Sequence, residues 1–393
     1  MEKLILFTLL FTSVAAQQCN ITGICINSEI IEVLNDVVDY DECLQECKQI
    51  SDCQWFSYYP NGLLCEIFKN CVEIDPEICQ TCVTSEKTCG DNHALTKVLL
   101  ISGYPYAKSQ NTELVDLTTG HSCQQNLPLF PYEMGKGFGG LCSENMVLVC
   151  GGAFGTAFQD CYFWDLTTNL GFQKTNRPLV EPRYGGAGVV TTNGLWITGG
   201  RNAKNEFLDS SEMVTLDQIE IGPKLPFPMA FHCMAKINES MVVLNGGWNG
   251  TGYIKTTLFY DLYYENWIAG PDMAQAREYH GCAILRQNYK TYLIVAGGWN
   301  DDLLNTVEIL DFSSNQWFPG PNLPKPINHF QMITSPEESV LVIGGYDGTY
   351  RNEVLELISK NITHCEWTLK QYLTEPRLDF VSIPIPVSYD LSC

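Results

Sequence analysis

The feature that most constrains the fold of this sequence is a Gly-Gly doublet that returns after short runs of β-forming residues. Five doublets share one frame, and an earlier copy at Gly103 has lost its first glycine. The second glycines stand at positions 103, 152, 200, 247, 298 and 345, so the steps are 49, 48, 47, 51 and 47 residues. Two other doublets, which begin at Gly139 and Gly185, precede an apolar run and fall outside this frame. Self-similarity at such a period indicates a repeat architecture.

Each period carries further shared signals. A second β-forming run ends in an aspartate in five periods, at Asp116, Asp165, Asp217, Asp261 and Asp311. A tryptophan and a Pro-rich turn follow in three periods, at Trp267, Trp317 and Trp367. An Arg or His then precedes the next run, at Arg183, His232, Arg277, His280, His329 and Arg377. Four short strands per period, separated by Gly and Pro, predict a twisted four-stranded blade.

This pattern resembles the kelch repeat over roughly residues 95–393, and the resemblance implies a β-propeller. The last repeat is followed by an additional strand-like run at 377–385, and no such run precedes the first doublet. We therefore expect this C-terminal run to complete blade one, because closure removes a free sheet edge. The predicted fold is mainly β, with a six-bladed kelch propeller over residues 96–393.

The N-terminus predicts export. Residues 1–16 contain Lys3, the apolar run Leu4–Leu10 and the small residues Val14, Ala15 and Ala16, which is typical of a signal peptide. No later stretch approaches 18 uninterrupted apolar residues, so we predict no membrane span. We expect a secreted, extracellular protein. Four N-x-S/T sequons predict glycosylation at Asn20, Asn238, Asn249 and Asn361.

The 18 cysteines agree with an oxidising compartment, and ten of them lie between Cys19 and Cys89. The spacings of Cys43 with Cys47 and of Cys79 with Cys82 also fit a zinc site, an alternative that the export signal disfavours. In the propeller region we predict disulfides between Cys150 and Cys161, which flank a hairpin, and between Cys123 and Cys142. Cys365 with Cys393 is a further candidate, and Cys233 and Cys282 are interpreted as buried apolar residues.

The N-terminal cysteines form the pattern C-x₃-C-x₅-C-x-W-F, from Cys43 through Cys47 and Cys53 to Trp55-Phe56, followed by Cys65. This pattern resembles the PAN/apple domain over about residues 19–89. The resemblance implies a helix on a small antiparallel sheet, with the bonds Cys43–Cys65 and Cys47–Cys53. We therefore expect a small disulfide-rich α+β apple-like domain at 17–89 and a linker at 90–95.

One group of residues could support an enzymatic role. His232, His280 and His329 recur 48 and 49 residues apart and are interpreted as equivalent residues of three consecutive blades. Three imidazoles near a propeller axis could bind a metal. The alternative, which we favour, is a structural position of the repeat. We therefore predict no catalytic residue, no metal ligand and no cofactor.

The net charge of −22 argues against nucleic acid and anionic membranes as partners, because both attract basic surfaces. This charge is explained either by solubility, the interpretation we favour, or by a basic partner.

Aromatic and arginine residues recur at two places in the period. One set follows the doublets, and the other lies in the turns between blades, where Tyr132, Phe231, Glu278 and Asn328 also lie. The resemblance to kelch domains implies that these loops share one face, and such residues are typical of binding hot spots. The predicted binding residues are Arg183, Tyr184, Arg201, Trp248, Arg277, Tyr279, Trp299, Tyr346 and Arg377. For Trp248 and Trp299 the alternative is packing between blades.

The function that these patterns favour is secreted, non-catalytic recognition of an extracellular protein or carbohydrate, through the propeller loop face and the apple-like module. A secreted propeller metalloenzyme, oxidase-like and using the channel histidines, is the alternative. An intracellular actin-binding kelch protein is a third interpretation, which the export signal disfavours.

Overall fold

A computed structural model describes residues 97–385 except 106–109, 144, 288–289, 336–338 and 363, together with the backbone of seven strands between residues 21 and 86. The chain divides into two compact units, Met1–Ala94 and Leu95–Cys393.

The first unit contains two antiparallel sheets among its described strands. The strands are β1 (Ile21–Thr22), β2 (Ile24–Ile26), β3 (Ile30–Asn35), β4 (Trp55–Tyr59), β5 (Leu64–Phe68), β6 (Glu73–Asp75) and β7 (Val83–Glu86). One sheet has the order β1-β7-β4-β5-β3, and β2 pairs with β6. The predicted helix, the predicted cysteine pairings of this region and Asn20 lie outside the described residues, so the apple-like domain stays a prediction.

The second unit forms six four-stranded antiparallel sheets in its described part, which are the blades of the expected six-bladed propeller. From the axis outwards, blade 1 has β33 (Val381–Ile385), β8 (Lys97–Ile101), β9 (Thr112–Asp116) and β10 (His121–Cys123). Blade 2 has β11 (Phe138–Ser143), β12 (Met146–Cys150), β15 (Cys161–Asp165) and β16 (Gln173–Lys174), with β13 (Ala153–Phe154) and β14 (Thr156–Ala157) in its loop. Blade 3 has β17 (Ala187–Thr191), β18 (Gly194–Thr198), β19 (Ser211–Val214) and β20 (Ile219–Ile221).

The remaining blades repeat this order. Blade 4 has β21 (Cys233–Asn238), β22 (Met241–Asn245), β23 (Thr257–Asp261) and β24 (Asn266–Ala269). Blade 5 has β25 (Gly281–Gln287), β26 (Lys290–Ala296), β27 (Val307–Asp311) and β28 (Gln316–Pro319). Blade 6 has β29 (Gln331–Thr334), β30 (Val340–Ile343), β31 (Glu353–Asn361) and β32 (His364–Tyr372).

The C-terminal strand closes the ring, as expected. β33 pairs with β8, with Val381 opposite Ile101 and Ile385 opposite Lys97. The strand is the inner edge of its blade, and edge strands are where a proline such as Pro384 is tolerated in a sheet. An apolar cluster that includes Val98 of blade 1 and Ile343 of blade 6 fills the space between the last and first blades.

The second strand of each blade is buried on both faces because neighbouring blades cover it. Leu293, Ile294, Val295 and Ala296 of β26 all have 0% exposure. A strand covered on both faces has no polar side, so its sequence is a continuous apolar run and does not alternate. This explains the run that precedes each glycine doublet.

The doublets occupy left-handed backbone. Gly297 and Gly298 have φ of +59° and +101°, and a Cβ on Gly298 would lie 2.7 Å from the Glu278 carbonyl oxygen. In the degenerate copy, Ser102 adopts φ of 64°. Because side chains disfavour this region and the space is filled, glycine recurs here.

Arg277 connects blades 4 and 5. Its backbone carbonyl accepts a hydrogen bond from Gly247, and its N–H donates to Ile254, both in blade 4. Its guanidinium donates to the Gly297 carbonyl and to Glu308 Oε1 at 2.7 Å, both in blade 5. The side chain is thus a buried clamp across a blade junction.

The clamp recurs at alternate junctions. Arg183 pairs with Glu212 at 2.8 Å between blades 2 and 3, and Arg377 pairs with Glu113 at 2.6 Å between blades 6 and 1. At the other three junctions the same backbone position is apolar, at Met134, Met229 and Ile327. Ion-paired and apolar junctions therefore alternate around the ring.

The predicted Cys150–Cys161 disulfide is confirmed within blade 2. The predicted Cys123–Cys142 pair is wrong: Cys142 is a free thiol, and Cys123 takes part in another disulfide. The reason is geometric, since Cys123 is on the outer strand of blade 1 and Cys142 on the inner strand of blade 2. Cys233 and Cys282 are bonded to each other across the inner strands of blades 4 and 5, which corrects their interpretation as simple apolar residues. Cys393 lies outside the described residues.

Candidate functional site

The loops after the second strands and the connections between blades lie at one end of the propeller, because successive strands of a blade run antiparallel. At this end, the residue after a doublet pairs with the residue three positions before an inner strand. The pairs are Tyr184 with Arg201, Ala230 with Trp248, Glu278 with Trp299 and Asn328 with Tyr346. We call this end, defined by these residues, the loop face.

A closed ring of backbone hydrogen bonds surrounds the axis beneath the loop face. Each blade contributes one residue, whose N–H donates to the carbonyl of the preceding one at distances between 2.5 and 3.1 Å. In order these residues are Lys136, Gly185, Phe231, Tyr279, His329 and Asp379. All six have positive φ, between 52° and 65°. Five non-glycine residues in this uncommon region show that the ring specifies their conformation.

The side chains of the ring contact one another at this end of the channel. The Phe231 and Tyr279 rings stack with centroids 4.1 Å apart, and Tyr279 stacks on His329 at 3.7 Å. Lys136 donates to the Tyr279 hydroxyl at 3.2 Å and lies 3.7 Å from Asp379. Burial raises the pKa of the Tyr279 hydroxyl and lowers the pKa of His329 to about 4. We call these five side chains the axial plug.

On the inner side of the plug, the inner strands of all six blades line a channel of about 620 Å³. The channel begins at the residue after each ring position, for example His280 and Phe330. Residues immediately before the ring positions, such as Glu278 and Asn328, therefore belong to the loop face.

Several predicted binding residues lie on the loop face, half-buried: Tyr184, Arg201, Trp248, Trp299 and Tyr346. The Trp248 ring packs edge-on against Tyr253 at 4.6 Å, and Trp299 Nε1 donates to the Tyr253 hydroxyl at 3.1 Å. These two tryptophans thus take part in packing at the loop face and keep an exposed part. Tyr279 belongs to the axial plug.

Three of the four predicted binding arginines are not on the surface. Arg183, Arg277 and Arg377 are 1%, 0% and 4% exposed, and each forms a buried ion pair with a glutamate. A partner cannot reach their guanidinium groups. Their recurrence in the sequence reflects the junction clamps, so we remove them from the candidate site.

The three histidines are not equivalent, which corrects their interpretation from spacing. His329 occupies a ring position, whereas His232 and His280 stand one residue later, in the position of Phe330. His232 Nε2 contacts the Thr198 hydroxyl at 2.9 Å, and His280 Nε2 contacts Asn245 at 2.8 Å, each in the preceding blade. Burial lowers the pKa of His232 to about 3 and that of His280 well below its usual value.

These histidines serve as uncharged packing groups between blades. Within the part of the chain that the structure describes, no three His, Cys, Asp or Glu side chains form a group suited to a metal ion. The described residues also contain no helix of the length and hydropathy needed to cross a bilayer.

Lys136 and Asp379 are plug residues that the sequence pattern missed. Both lie at the same spacing along the chain as the other ring residues. In blade 2, however, the segment is Met134-Gly135-Lys136-Gly137, which lacks the Arg or His that other blades have before their inner strands. Only their position in the repeat could have identified these two residues, because the six ring residues share no side-chain chemistry.

Of the predicted glycosylation sites, Asn238 is the half-buried last residue of β21, and Asn249 lies in an exposed loop. Asn249 Oδ1 accepts hydrogen bonds from the Thr251 N–H and hydroxyl at 3.0 and 2.9 Å. The side chain of Asn361 lies outside the described residues. Occupancy of all four sequons stays a prediction.

Comparisons with known proteins point to one family. A profile described as the KLHDC2/KLHL20/DRC7 Kelch-repeats domain matches residues 139–345. The chain is similar to "Kelch repeat-containing protein kel-10" of Caenorhabditis elegans, 31% identical over 121 residues, which are 30% of this chain and 21% of that protein. It is also similar to "Alpha-scruin" of Limulus polyphemus, 28% identical over 118 residues, 28% of this chain and 12% of that protein.

A solved structure, "Structure of YjhT", shares the fold with a TM-score of 0.55 and 14% identity, covering 66% of this chain and 91% of that one. The matched segments are about a fifth or less of the two curated relatives.

Proposed function

The chain belongs to the kelch-repeat family, and from that premise we propose that it is a secreted, non-catalytic binding protein that recognises an extracellular protein through the loop face. The observation that carries this proposal is the row of half-exposed aromatic residues at equivalent places of successive blades, Trp248, Trp299 and Tyr346. Rigid aromatic side chains supply much contact area at little entropic cost, which is why they dominate binding hot spots.

The surroundings of these aromatics favour a preformed binding surface. The hydrogen-bonded ring and the axial plug hold the inner end of every loop, and the short pairs such as Glu278 with Trp299 hold the loop starts. A rigid surface loses little conformational entropy when a partner binds. The signal-peptide pattern at residues 1–16 and the disulfides Cys150–Cys161 and Cys233–Cys282 support secretion.

The test locates the bound surface. A photo-cross-linking phenylalanine analogue replaces Tyr350 or Phe154, both exposed on the loop face, in the full secreted chain. The matched control replaces Tyr263, which is 80% exposed in the β23–β24 turn at the opposite end of a blade. Chains incubated with extracellular fluid are irradiated, and covalent adducts are identified by mass spectrometry.

We expect a specific protein adduct from position 350 or 154 and none from position 263. Adducts from position 263 alone, or equal adducts from all three positions, would show that the loop face is not the binding surface. Secretion is tested separately, by comparing the culture medium of cells that express the chain with and without residues 1–16.

A further inference from the structure

Blade 5 differs from its neighbours, blades 4 and 6, in the charge of its loop-face residues. Glu278 lies directly opposite Trp299, and the two residues exchange backbone hydrogen bonds of 3.0 and 2.8 Å. Opposite residues of an antiparallel pair project to the same face. The turn that follows Trp299 carries Asp301 and Asp302, both exposed. Trp299 therefore has one carboxylate on the residue opposite it and two in the turn that follows it.

The corresponding turns of the neighbouring blades lack this combination. After Trp248 the turn is Asn249-Gly250-Thr251-Gly252, which has no charge. After Tyr346, Asp347 is paired with Arg351 at 3.3 Å. Among blades 4, 5 and 6, the excess of negative charge beside an aromatic ring is thus found in blade 5 alone.

The half-buried acceptor opposite this indole is the Glu278 carboxylate, which has no hydrogen-bond donor among the described residues. Burial raises the pKa of this carboxyl to about 7.

Two cationic side chains lie near Glu278, but they do not restore an ordinary pKa to its carboxyl. The charges of Lys136 and Arg201 lower the Glu278 pKa, but burial outweighs them. Lys136 is engaged with Asp379 and Tyr279. The Arg201 guanidinium lies over the Phe207 ring, 4.9 Å from its centroid, and donates to the Asn205 carbonyl. The Glu278 carboxylate therefore remains available to a donor brought by a ligand.

We propose that the Trp299 surface of blade 5, formed by Trp299, Glu278, Asp301 and Asp302, binds a basic segment of the partner protein, with a Lys or Arg side chain on the indole and paired with the Glu278 carboxylate. This proposal rests on the proposed function and names the chemistry of its partner. A cation over a tryptophan face is attracted by the ring quadrupole, and an ammonium or guanidinium supplies only donors. The net charge of −22 favours approach of a basic segment over long range.

The probe for the test is an octalysine peptide with a fluorescent label, and octaglutamate is the control for charge sign. Binding to the full secreted chain is measured by fluorescence anisotropy in 0.15 M salt, since lower salt exaggerates non-specific attraction. We expect octalysine to bind and octaglutamate not to bind. Glu278→Gln and Trp299→Leu should each weaken binding of octalysine about fivefold or more, and Glu278→Asp should restore part of it.

The matched control is Glu220→Gln, which removes the same charge from exposed β20. It should change octalysine binding less than about twofold, because exposed distant charges are screened. A second readout is pH. With a Glu278 pKa near 7, the deprotonated fraction falls about tenfold from pH 8 to pH 6, so binding should weaken by up to about tenfold in the unsubstituted chain and stay nearly flat in Glu278→Gln.

Three results would overturn the inference: no octalysine binding, equal losses in Glu278→Gln and Glu220→Gln, or Trp299-dependent binding of an N-acetylglucosamine trimer in place of octalysine. The last would identify a carbohydrate site. If cross-linking from position 350 succeeds while octalysine does not bind, the proposed function stands and this partner chemistry fails. If octalysine binds as expected but no protein adduct forms, the Trp299 surface stands and protein recognition fails.

Discussion

Arg277 and Glu308 form a buried ion pair in which Nη2 lies 2.7 Å from Oε1, and the two residues belong to a blade connection and to the third strand of the following blade. Glu308 also accepts hydrogen bonds from the backbone N–H groups of Ala274 and Gln275. All the hydrogen bonds that the structure describes for this carboxylate are thus made to residues of one blade junction. The ion pair is therefore a structural element, although its arginine has the sequence signature of a binding residue.

Removing one partner of this pair should be costly. Arg277→Met leaves Glu308 charged and buried, and we expect a loss of about 3–5 kcal/mol in the free energy of unfolding. Met134 and Met229 occupy the same position in two other junctions, so a methionine fits there. The expected loss of stability would therefore not result from a steric clash. Urea unfolding monitored by circular dichroism measures the change, and a loss below about 1 kcal/mol would contradict the clamp.

The companion variant separates charge from packing. Arg277→Met with Glu308→Leu reproduces the arrangement of blade 4, where Met229 and Leu258 hold the two positions. Because no buried charge remains, the double variant should regain part of the stability that the single variant loses. A double variant no more stable than Arg277→Met would show that Glu308 acts mainly on the backbone of the loop.

His232→Phe should reduce the sensitivity of the protein to acid. Burial holds the pKa of His232 near 3, below the ordinary 6.5 of the unfolded chain. A depressed pKa contributes stability above pH 6.5 that is lost as the pH falls through 6.5 towards 3, about 2 kcal/mol between pH 7 and pH 5. Phe330 and Phe380 hold the same place in other junctions, so the ring should fit.

The difference in unfolding free energy between pH 7 and pH 5 measures this effect, because other titrating groups act equally in both proteins. His121→Gln, at an exposed position, is the control and should leave the pH dependence unchanged. If His232→Phe and the unsubstituted chain lose the same stability at pH 5, His232 does not stay neutral in the folded state.

Deleting residues 378–393 should prevent stable closure. The deletion removes β33, exposes the edge of β8 and takes away Asp379, which both donates and accepts in the backbone ring. An exposed, apolar strand edge invites aggregation, so we expect retention in the cell or aggregation. Deleting residues 17–89 should leave a folded propeller. Normal secretion and an unchanged melting temperature of the first deletion would refute the role of β33.

Truncating the loop-face aromatics should weaken the partner found by cross-linking. Trp299→Ala or Tyr346→Ala should cost roughly 2 kcal/mol in binding free energy, the usual threshold for a hot spot. Thr168→Ala, in a turn at the opposite end of blade 2, is the control. Titration calorimetry measures each affinity, and normal affinity in both truncations would mean that these rings serve packing alone.

The sequon at Asn249 gives an independent check on the same face. Thr251→Ala abolishes the sequon beside Trp248, and binding should be unchanged or tighter, since a glycan there can only obstruct the surface. Weaker binding of this variant, with an unchanged melting temperature, would indicate that the glycan is part of the contact.

Sequence patterns anticipated the propeller because repeat folds impose the same local demands in every blade. The buried second strand requires a continuous apolar run, and the turn after it requires left-handed backbone, as at Gly297 and Gly298. The register between repeats also pointed to the C-terminal strand as the inner strand of blade 1. Spacing was less informative for single positions, since His329 differs by one residue from the frame of His232 and His280.

By itself, the sequence determined the kelch blades, the six-blade closure and the Cys150–Cys161 bond, because each follows from a local or periodic rule. Only the tertiary structure decided which recurring residues face outwards. Arg277 and Trp299 recur in equally regular fashion, yet the guanidinium is fully buried against Glu308 and the indole is half-exposed beside Glu278. The Cys233–Cys282 bond and the ring from Lys136 to Asp379 likewise join different blades. Such contacts depend on how blades meet around the axis, which no pattern along the chain encodes.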